Sequence, residues 1–319
     1  MFIFFFFFPD RRVIIPYVVW AQEVVTKSCK GLFNLIYAIT SVLVLAFVIF
    51  LYVQSSGYTT VEYEIQTRKD TGPVRFVMIS DLHDTDVTHD HNKKLLDSIM
   101  AFSPDFVVLA GDMITSYMEP TDRSATAFEF LKELSKRVAV YYGLGNHEQR
   151  YKAEPDRFPG KYEELEAYVK DLGISFLSDD KADICNGKIR IYGFDVPIEN
   201  YRRAVSSTLP EGILNNTFGP LDDEKFNILL AHDPVYFDDY AAFGPDLVLS
   251  GHLHGGIVAI PGIGGVISPQ LKLFPKYYGG RFDRDGVTMI VSRGIGWHSI
   301  PIRVFNKAEI VCVSINSKG

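Results

Sequence analysis

Cysteine is scarce in this chain of 319 residues, and the three cysteines do not form a metal-binding pattern. Cys29, Cys185 and Cys312 lie far apart in the sequence, without the paired spacing of cysteine-based zinc sites. We therefore expect no structural zinc site built on thiolates. Any metal site in this protein has to use oxygen and imidazole ligands.

The chain also lacks an excess of basic residues. It carries 32 Lys and Arg against 39 Asp and Glu, which gives a formal net charge of -7. Proteins that bind phosphate backbones need clustered Lys and Arg, so we expect no nucleic-acid partner. With 47% hydrophobic and 22% charged residues, the composition is typical of a folded protein with one large core or two modest ones.

Charge is absent from Gly31 to Val53, a run of 23 residues in which 15 are Leu, Ile, Phe or Val. At roughly -0.3 to -0.6 kcal/mol for each of these side chains, the run contributes about -6 kcal/mol to membrane insertion. The sequence therefore predicts a transmembrane helix at residues 31–53. A cleaved signal peptide is the alternative, since Ser55-Ser56-Gly57 weakly matches a cleavage site, but such peptides have apolar cores of only about 7 to 15 residues.

Basic residues precede this span and are missing just after it. Arg11, Arg12, Lys27 and Lys30 come before it, whereas Arg68 is the first basic residue that follows. The positive-inside rule then predicts a single-pass protein of the cell membrane, with a cytoplasmic amino terminus and an extracytoplasmic folded domain. The predicted segments are a cytoplasmic or interfacial stretch at 1–30, a linker at 54–72 that becomes an edge strand, and the folded domain at 73–319.

Apolar strands alternate with helices after the span, and five of the strands end in polar residues that can bind metals. These strands and polar residues are Val74–Ser80 with Asp81 and His83, Phe106–Ala110 with Asp112, Val138–Tyr142 with Asn146 and His147, Asn227–Ala231 with His232, and Leu247–Ser250 with His252 and His254. Each signal alone also fits an ordinary cap or turn. In open α/β sheets, however, ligands gather beyond the carboxyl ends of strands, so the five signals together predict one site. Carboxylate, imidazole and amide oxygen suit divalent Mn, Fe or Zn.

These motifs resemble those of the calcineurin-like metallophosphoesterases, over roughly Val74 to Ile315. Four further motifs resemble the membrane-anchored YkuE/YaeI-type branch of that family, namely Gly251 to Gly256, Pro261 to Gly265, Val291 to Gly296 and Pro301 to Asn306. The resemblance implies an α/β fold, a two-sheet β-sandwich flanked by helices in an αββα arrangement. In this chain the transmembrane helix precedes it.

The resemblance also implies two divalent metal ions and a role for each polar residue. Asp81, His83 and His254 would hold one ion, Asn146, His232 and His252 would hold the other, and Asp112 would bridge them. His147 would be catalytic, close to the leaving-group oxygen. Two ions roughly 3.5 to 4 Å apart can activate a water or hydroxide and neutralise the phosphoryl oxygens during in-line attack.

One position departs from the family pattern. The second motif of the family usually reads Gly-Asp-x-x-Asp, and its later Asp orients the catalytic histidine, but here Gly111-Asp112 is followed by Thr115. Threonine can accept a hydrogen bond but cannot stabilise an imidazolium as a carboxylate does. The departure at Thr115 therefore weakens the case for His147 as the catalytic acid. It does not affect the predicted metal ligands, so metal binding should survive.

The function that the sequence supports is a membrane-anchored, dinuclear-metal hydrolase of phosphate mono- or diesters. Tethering to the membrane and the apolar segment from Gly255 to Phe274 favour a lipid-linked or cell-envelope phosphoester, although that segment also fits an ordinary hairpin packed on the core. His298, after the Gly294-x-Gly296 turn, is a candidate substrate-binding residue. The alternative function is a non-catalytic metal-binding ectodomain that recognises a phosphorylated ligand.

Overall fold

The computed structural model describes residues 11–116, 124–201, 208–256, 258–260, 264–267, 273–297 and 302–317. The chain divides into two compact units, Met1–Val53 and Gln54–Gly319. The predicted domain at 73–319 lies within the second unit, which begins earlier, at Gln54.

A single helix, α1 (Arg11–Ser55), accounts for the described part of the first unit. Its stretch from Trp20 to Ser55 is long and apolar enough to cross a membrane, with a mean hydropathy of 2.6 in its most apolar part and no buried residues there. The predicted span at 31–53 lies inside α1. The helix starts 20 residues before that span, so residues 11–30 continue it, while residues 1–10 lie outside the described residues.

The second unit alternates strands and helices. Its elements in chain order are β1 (Tyr58–Thr67), β2 (Val74–Ile79), α2 (Lys93–Ala101), β3 (Phe106–Ala110), α3 (Ser124–Ser135), β4 (Ala139–Gly143), α4 (Asn146–Ala153), α5 (Lys161–Asp171), β5 (Ser175–Leu177), β6 (Asp180–Ile184), β7 (Ile189–Phe194), α6 (Ile213–Phe218), β8 (Phe226–Ala231), α7 (Phe237–Phe243), β9 (Leu247–Ser250), β10 (Val258–Ile260), β11 (Gly264–Ile267), β12 (Gly280–Arg284), β13 (Val287–Val291) and β14 (Ala308–Ser317). Short 3₁₀ turns lie at Cys185–Gly187, Ile198–Tyr201 and Pro234–Tyr236.

Two six-stranded sheets form the centre of this unit. The first has the order β1-β14-β2-β3-β4-β5 and the second the order β12-β13-β9-β8-β7-β6, while β10 and β11 pair as a separate hairpin. The neighbours β2, β3 and β4 are parallel, and so are β7, β8 and β9. Parallel strands are buried on both faces, which explains why their sequences are almost continuously apolar.

Strand β1 occupies most of the segment predicted as a linker. It is the edge strand of the first sheet and pairs in parallel with β14, with Tyr58 opposite Ala308 and Thr67 opposite Ser317. The alternating pattern from Thr59 to Ile65 predicts such an edge strand, since one face of it packs on the sheet and the other meets solvent. Only a few residues therefore separate α1 from the folded sheet.

Three apolar layers fill the unit. One lies between the two sheets and includes Phe76, Val108 and Ile228, all almost fully buried. A second covers the first sheet with α2, α3 and α5, and a third covers the second sheet with α6 and α7. The predicted two-sheet sandwich flanked by helices is confirmed, because each sheet buries one face on the other sheet and the opposite face under helices.

The carboxyl ends of β2, β3 and β4 lie side by side in the first sheet, and those of β8 and β9 lie side by side in the second. Backbone hydrogen bonds join the turns that follow them. The Asp81 N–H donates to the Gly111 carbonyl at 3.0 Å, and the Gly251 N–H donates to the His232 carbonyl at 3.0 Å. The sheet order therefore places the polar strand ends at common edges, as the sequence predicts.

Candidate metal centre

The turns that carry the predicted ligands are strained. Five of the seven have a left-handed backbone with φ of 48° to 70°, namely Asp81, His83, Asp112, His252 and His254. Residues other than glycine rarely adopt this conformation, and such strain concentrates at functional sites. Neighbouring glycines make room for the turns: a Cβ on Gly251 would collide with the Ser80 hydroxyl and the Asp81 carboxylate.

Asp81, His83 and His254 form one cluster whose ligand atoms all lie within 4.8 Å of one another. Asp81 Oδ1 lies 3.3 Å from His254 Nε2 and 3.9 Å from His83 Nε2, and the two imidazole Nε2 atoms are 3.1 Å apart. All three residues are buried. The carboxylate is held from behind, because the backbone N–H of His252 donates to Asp81 Oδ1 at 3.1 Å.

Asp112, His232 and His252 form a second cluster of the same size. His232 Nε2 lies 3.1 Å from Asp112 Oδ2, and His232 Nδ1 donates to the Ala110 carbonyl at 2.6 Å. A histidine fixed in this way presents Nε2 as its ligand atom, which is the usual arrangement behind a metal-binding imidazole. Asp112 Oδ2 is also 3.9 Å from His83 Nε2, so Asp112 stands between the two clusters.

Asn146, the first residue of α4, is 5% exposed, and its amide oxygen Oδ1 has no hydrogen-bond partner among the described residues. Leaving a buried polar atom unpaired costs about 1 to 3 kcal/mol, so such an atom calls for a specific explanation. A cation coordinated by this oxygen supplies one, and Asn146 is a predicted ligand.

The electrostatics of the clusters also fit a cation site. Burial raises the pKa of Asp81 to about 7; the positive charge of His232 opposes this increase and the charge of Asp112 adds to it. Burial also acts to raise the pKa of Asp112, but His232 and His147 outweigh it and hold that pKa well below its usual range. Burial acts to lower the pKa of His232, but the Asp112 and Asp81 carboxylates overcome it and raise that pKa to about 10. Divalent ions bound here would displace the His232 proton.

His147 lies beside these clusters, in a third group of potential ligand atoms with His83 and Asp112. Its backbone N–H donates to Asp112 Oδ1 at 2.8 Å. Its ring Nδ1 accepts a hydrogen bond from the backbone N–H of Ser116 at 2.8 Å, and the Ser116 hydroxyl lies 3.1 Å from the same atom. Ser116, rather than the adjacent Thr115, therefore contacts the ring at the point where the family pattern has its orienting Asp.

Glu148 is a positioning residue that the sequence does not single out. It is fully buried, and its carboxylate accepts hydrogen bonds from the backbone N–H groups of Gly145, Asp112, Met113 and Ile114 and from the Tyr142 hydroxyl. It thereby fastens the turn after β3 to the turn after β4. Its only sequence signal is its place directly after Asn146-His147.

Arg303 and Asn306 hold the turn that carries His254. The Asn306 side-chain amide donates to the His254 carbonyl at 2.6 Å, and the Arg303 guanidinium donates to the Gly296 carbonyl at 2.9 Å. Arg303 Nη2 is 3.5 Å from His254 Nδ1. Both residues are buried, and both lie in the Pro301 to Asn306 motif, one of the four that resemble the YkuE/YaeI-type branch. The candidate substrate residue His298 lies outside the described residues.

The donor set therefore fits divalent cations. It consists of two buried carboxylates, buried imidazoles whose Nε2 atoms converge, and an unpaired amide oxygen, with no thiolate among them. Hard and borderline ions such as Mn, Fe and Zn favour these ligands.

Known proteins are similar in sequence to this chain. A profile of the calcineurin-like phosphoesterase family matches residues 74–256, more than half of the chain. A metallophosphoesterase of Campylobacter jejuni is 28% identical over 92% of this chain and 73% of its own length. The metallophosphoesterase YkuE of Bacillus subtilis is 26% identical over 76% of this chain and 79% of its own length. The UDP-2,3-diacylglucosamine pyrophosphatase LpxG of Chlamydia trachomatis is 26% identical over 71% of this chain and 79% of its own length.

The match covers β2 through the turn after β9, which is the part of the chain that carries all seven predicted ligands and His147. The chain belongs to the calcineurin-like phosphoesterase family, and it is a metal-dependent hydrolase of phosphate esters.

Proposed function

We propose that this protein is a membrane-anchored phosphoesterase that uses two divalent metal ions and acts outside the cytoplasm. The observation that carries the proposal is the meeting of two buried Asp-His clusters around Asp112, at the carboxyl ends of strands from both sheets. A non-catalytic ectodomain would have no need of the additional, separately oriented His147 beside these clusters.

The clusters support one assignment of the ligands. Asp81, His83 and His254 hold the first ion, and Asn146, His232 and His252 hold the second. Asp112 belongs between them, since it lies within 4 Å of histidines from both groups. When bound, the ions supply an activated water and neutralise charge on the phosphoryl group.

The protein side chains supply orientation and a donor for the leaving group. Because His147 Nδ1 accepts from Ser116, Nε2 is the ring atom that can carry a proton towards a substrate oxygen. His147 is also tied through its backbone to Asp112, so its position follows that of the metal ligands. We assign His147 to the leaving-group oxygen.

Metal content gives a direct test of the ligand assignment. His232→Ala should lose about one equivalent of Mn per chain in elemental analysis after equilibration and desalting, and should hydrolyse an aryl phosphate ester at least 100-fold more slowly. The control is His89→Ala, because His89 is an exposed histidine on a loop outside the clusters. Equal metal content in the two variants would refute the assignment.

The orientation rests on the basic residues before the apolar run and on the membrane-crossing length of α1. Lys132 is exposed on α3, so a cysteine at this position can be labelled with a membrane-impermeant maleimide. In a background with Cys29→Ser and Cys185→Ser, Lys132→Cys should react in intact cells, or in intact spheroplasts where an outer envelope blocks the reagent. We call the second unit, residues 54–319, the catalytic unit. Labelling only after lysis would put the catalytic unit in the cytoplasm.

For the substrate we propose a phospho- or pyrophospho-linked lipid or cell-envelope glycolipid. The relative LpxG is named as a pyrophosphatase of a diacylated sugar nucleotide, which supports a lipid-linked pyrophosphate. A membrane anchor also raises the effective concentration of substrates confined to the same surface. The full-length protein in vesicles should therefore hydrolyse a lipid-linked ester at least tenfold more efficiently than its water-soluble head-group analogue, and equal efficiencies would exclude the lipid preference.

A further inference from the structure

Large apolar side chains are exposed in one region of the catalytic unit. Among its described residues, the large hydrophobic side chains that are exposed lie on three segments, at residues 258–260, 273–274 and 302–305. They are 36% to 67% exposed: Ile260, Leu273, Phe274, Ile302 and Phe305. We call these five residues the apolar patch. Soluble proteins rarely group exposed apolar side chains, and such groups mark binding surfaces for proteins or membranes.

Backbone hydrogen bonds join the three segments of the apolar patch. Val258 bridges to Val304, and the Ala259 N–H donates to the Val304 carbonyl at 3.0 Å. The Phe274 N–H donates to the Val266 carbonyl at 2.9 Å, and Val266 lies on β11, which pairs with β10. The hairpin, Phe274 and the 302–305 segment are therefore joined by backbone hydrogen bonds.

Two of the patch residues have an unusual backbone. Phe274 and Phe305 adopt φ of 49° and 53°, a left-handed conformation that bulky residues other than glycine seldom take. The fold holds both aromatic side chains outward at the cost of this strain. Strained residues of this kind are often found at functional sites.

The apolar patch is hydrogen-bonded to the first residues of the catalytic unit. The Arg303 N–H donates to the Ser55 hydroxyl at 2.9 Å, and the Phe305 N–H donates to the Gln54 side-chain oxygen at 3.2 Å. Gln54 and Ser55 belong to the catalytic unit and directly follow Val53, where the charge-free run ends. The 302–305 segment therefore contacts the two residues that follow the charge-free run in the sequence.

Charge at the edge of the patch fits a membrane surface. Lys276 and Lys307 are exposed and follow Phe274 and Phe305 by two residues each. Phenylalanine, leucine and isoleucine flanked by lysine are typical of surfaces that enter the head-group region of a bilayer and attract anionic lipids.

We propose that the apolar patch docks the catalytic unit on the lipid bilayer, with anionic phospholipid head groups as the partner. Arg303 and Asn306 contact the His254 turn from the same segment, so docking places the metal centre beside the membrane. A lipid-borne substrate would then reach the centre without leaving the bilayer surface. This last step rests on the proposed function, whereas the docking itself does not.

The first test locates the lipid contact and needs no catalysis. The full-length protein is reconstituted in phosphatidylcholine and phosphatidylglycerol vesicles that contain a phospholipid with a photoreactive acyl chain, and adducts are mapped by mass spectrometry. Peptides with Leu273 to Lys276 and with Ile302 to Phe305 should carry lipid adducts, as α1 does, while α3 peptides should not. Adducts confined to α1 would overturn the proposal, as would cross-links between patch peptides of two copies in place of lipid adducts.

The second test perturbs the patch. Leu273→Asp should lower the adduct yield on the 302–305 peptide at least fivefold, with an unchanged thermal midpoint because Leu273 is 67% exposed. The control is Ala125→Asp, which adds the same charge at an exposed position on α3 and should leave the yield as in the parent. Equal yields in the two variants would overturn the docking. If the parent protein showed no ester hydrolysis, that result would contradict the proposed function and not the docking.

Discussion

Replacing Glu148 by glutamine tests whether this buried carboxylate assembles the metal centre. Glu148 Oε2 accepts from the backbone N–H groups of Asp112 and Gly145 at 2.9 Å each, and Oε1 accepts from Met113 at 2.8 Å and from the Tyr142 hydroxyl at 2.7 Å. Glutamine keeps one oxygen and replaces the other with an NH₂ donor. If the NH₂ group replaces Oε2, the backbone N–H groups of Asp112 and Gly145 meet a donor instead of an acceptor. If it replaces Oε1, those of Met113 and Ile114 do.

The cost follows from these contacts. Each buried donor left without a partner costs about 1 to 3 kcal/mol, so two donors give roughly 2 to 6 kcal/mol of lost stability. For a domain of this size one kcal/mol corresponds to roughly 2 to 4 °C in the melting temperature, so Glu148→Gln should lower it by about 5 to 20 °C. The displaced turns carry Asp112 and Asn146, so Mn affinity should fall with stability.

Tyr142→Phe is the matched control. It removes one of the donors to the same carboxylate and leaves Oε1 bonded to backbone N–H groups, so it should cost only about 1 kcal/mol, or roughly 2 to 4 °C. Thermal unfolding in detergent micelles, followed by near-UV circular dichroism with and without Mn, measures both variants. A melting temperature of Glu148→Gln equal to that of Tyr142→Phe would refute this role of the carboxylate.

Three further results are expected. Asp112→Ala should keep the fold but lose several orders of magnitude in hydrolysis, and retention of more than about a tenth of the parental rate with excess metal would contradict a bridging role. His147→Asn should keep its metal content and lose roughly 10² to 10⁴ in rate, with the smallest loss for leaving groups that need no proton; equal losses for good and poor leaving groups would remove the donor role. Burial and the Asp179 charge raise the pKa of Asp195 to about 6. The folded protein therefore binds the Asp195 proton more tightly than the unfolded chain does. The resulting stabilisation is full below about pH 4 and is lost as the pH rises through 6. Between pH 4 and pH 8, the free energy of unfolding of Asp195→Asn should therefore rise by up to about 3 kcal/mol relative to that of the parent. The change in the difference between the two melting temperatures over this pH range measures it.

Local sequence patterns are enough to predict the strands of the site and its candidate ligands. The apolar runs of β2, β3, β8 and β9 encode buried strands locally, and the polar residues that follow each run mark its carboxyl end. The charge-free run likewise predicted a membrane-crossing helix, because insertion depends on composition and length rather than on distant contacts. The metal-binding residues that follow the five strands, in this order along the chain, are specific enough to indicate the family.

Contacts between residues that are far apart in the chain follow from the packing of the sheets and not from any local pattern. Pairing of β1 with β14 joins the two ends of the catalytic unit, and a strand pattern does not name its partner. Glu148 reaches the Asp112 turn from 36 residues away, and Ser116 meets His147 from 31 residues away. The patch formed by Leu273, Phe305 and their neighbours depends likewise on hydrogen bonds between separate segments. Local periodicity fixes which face of a strand is buried, but which loop lies beside another is set only when the sheets pack.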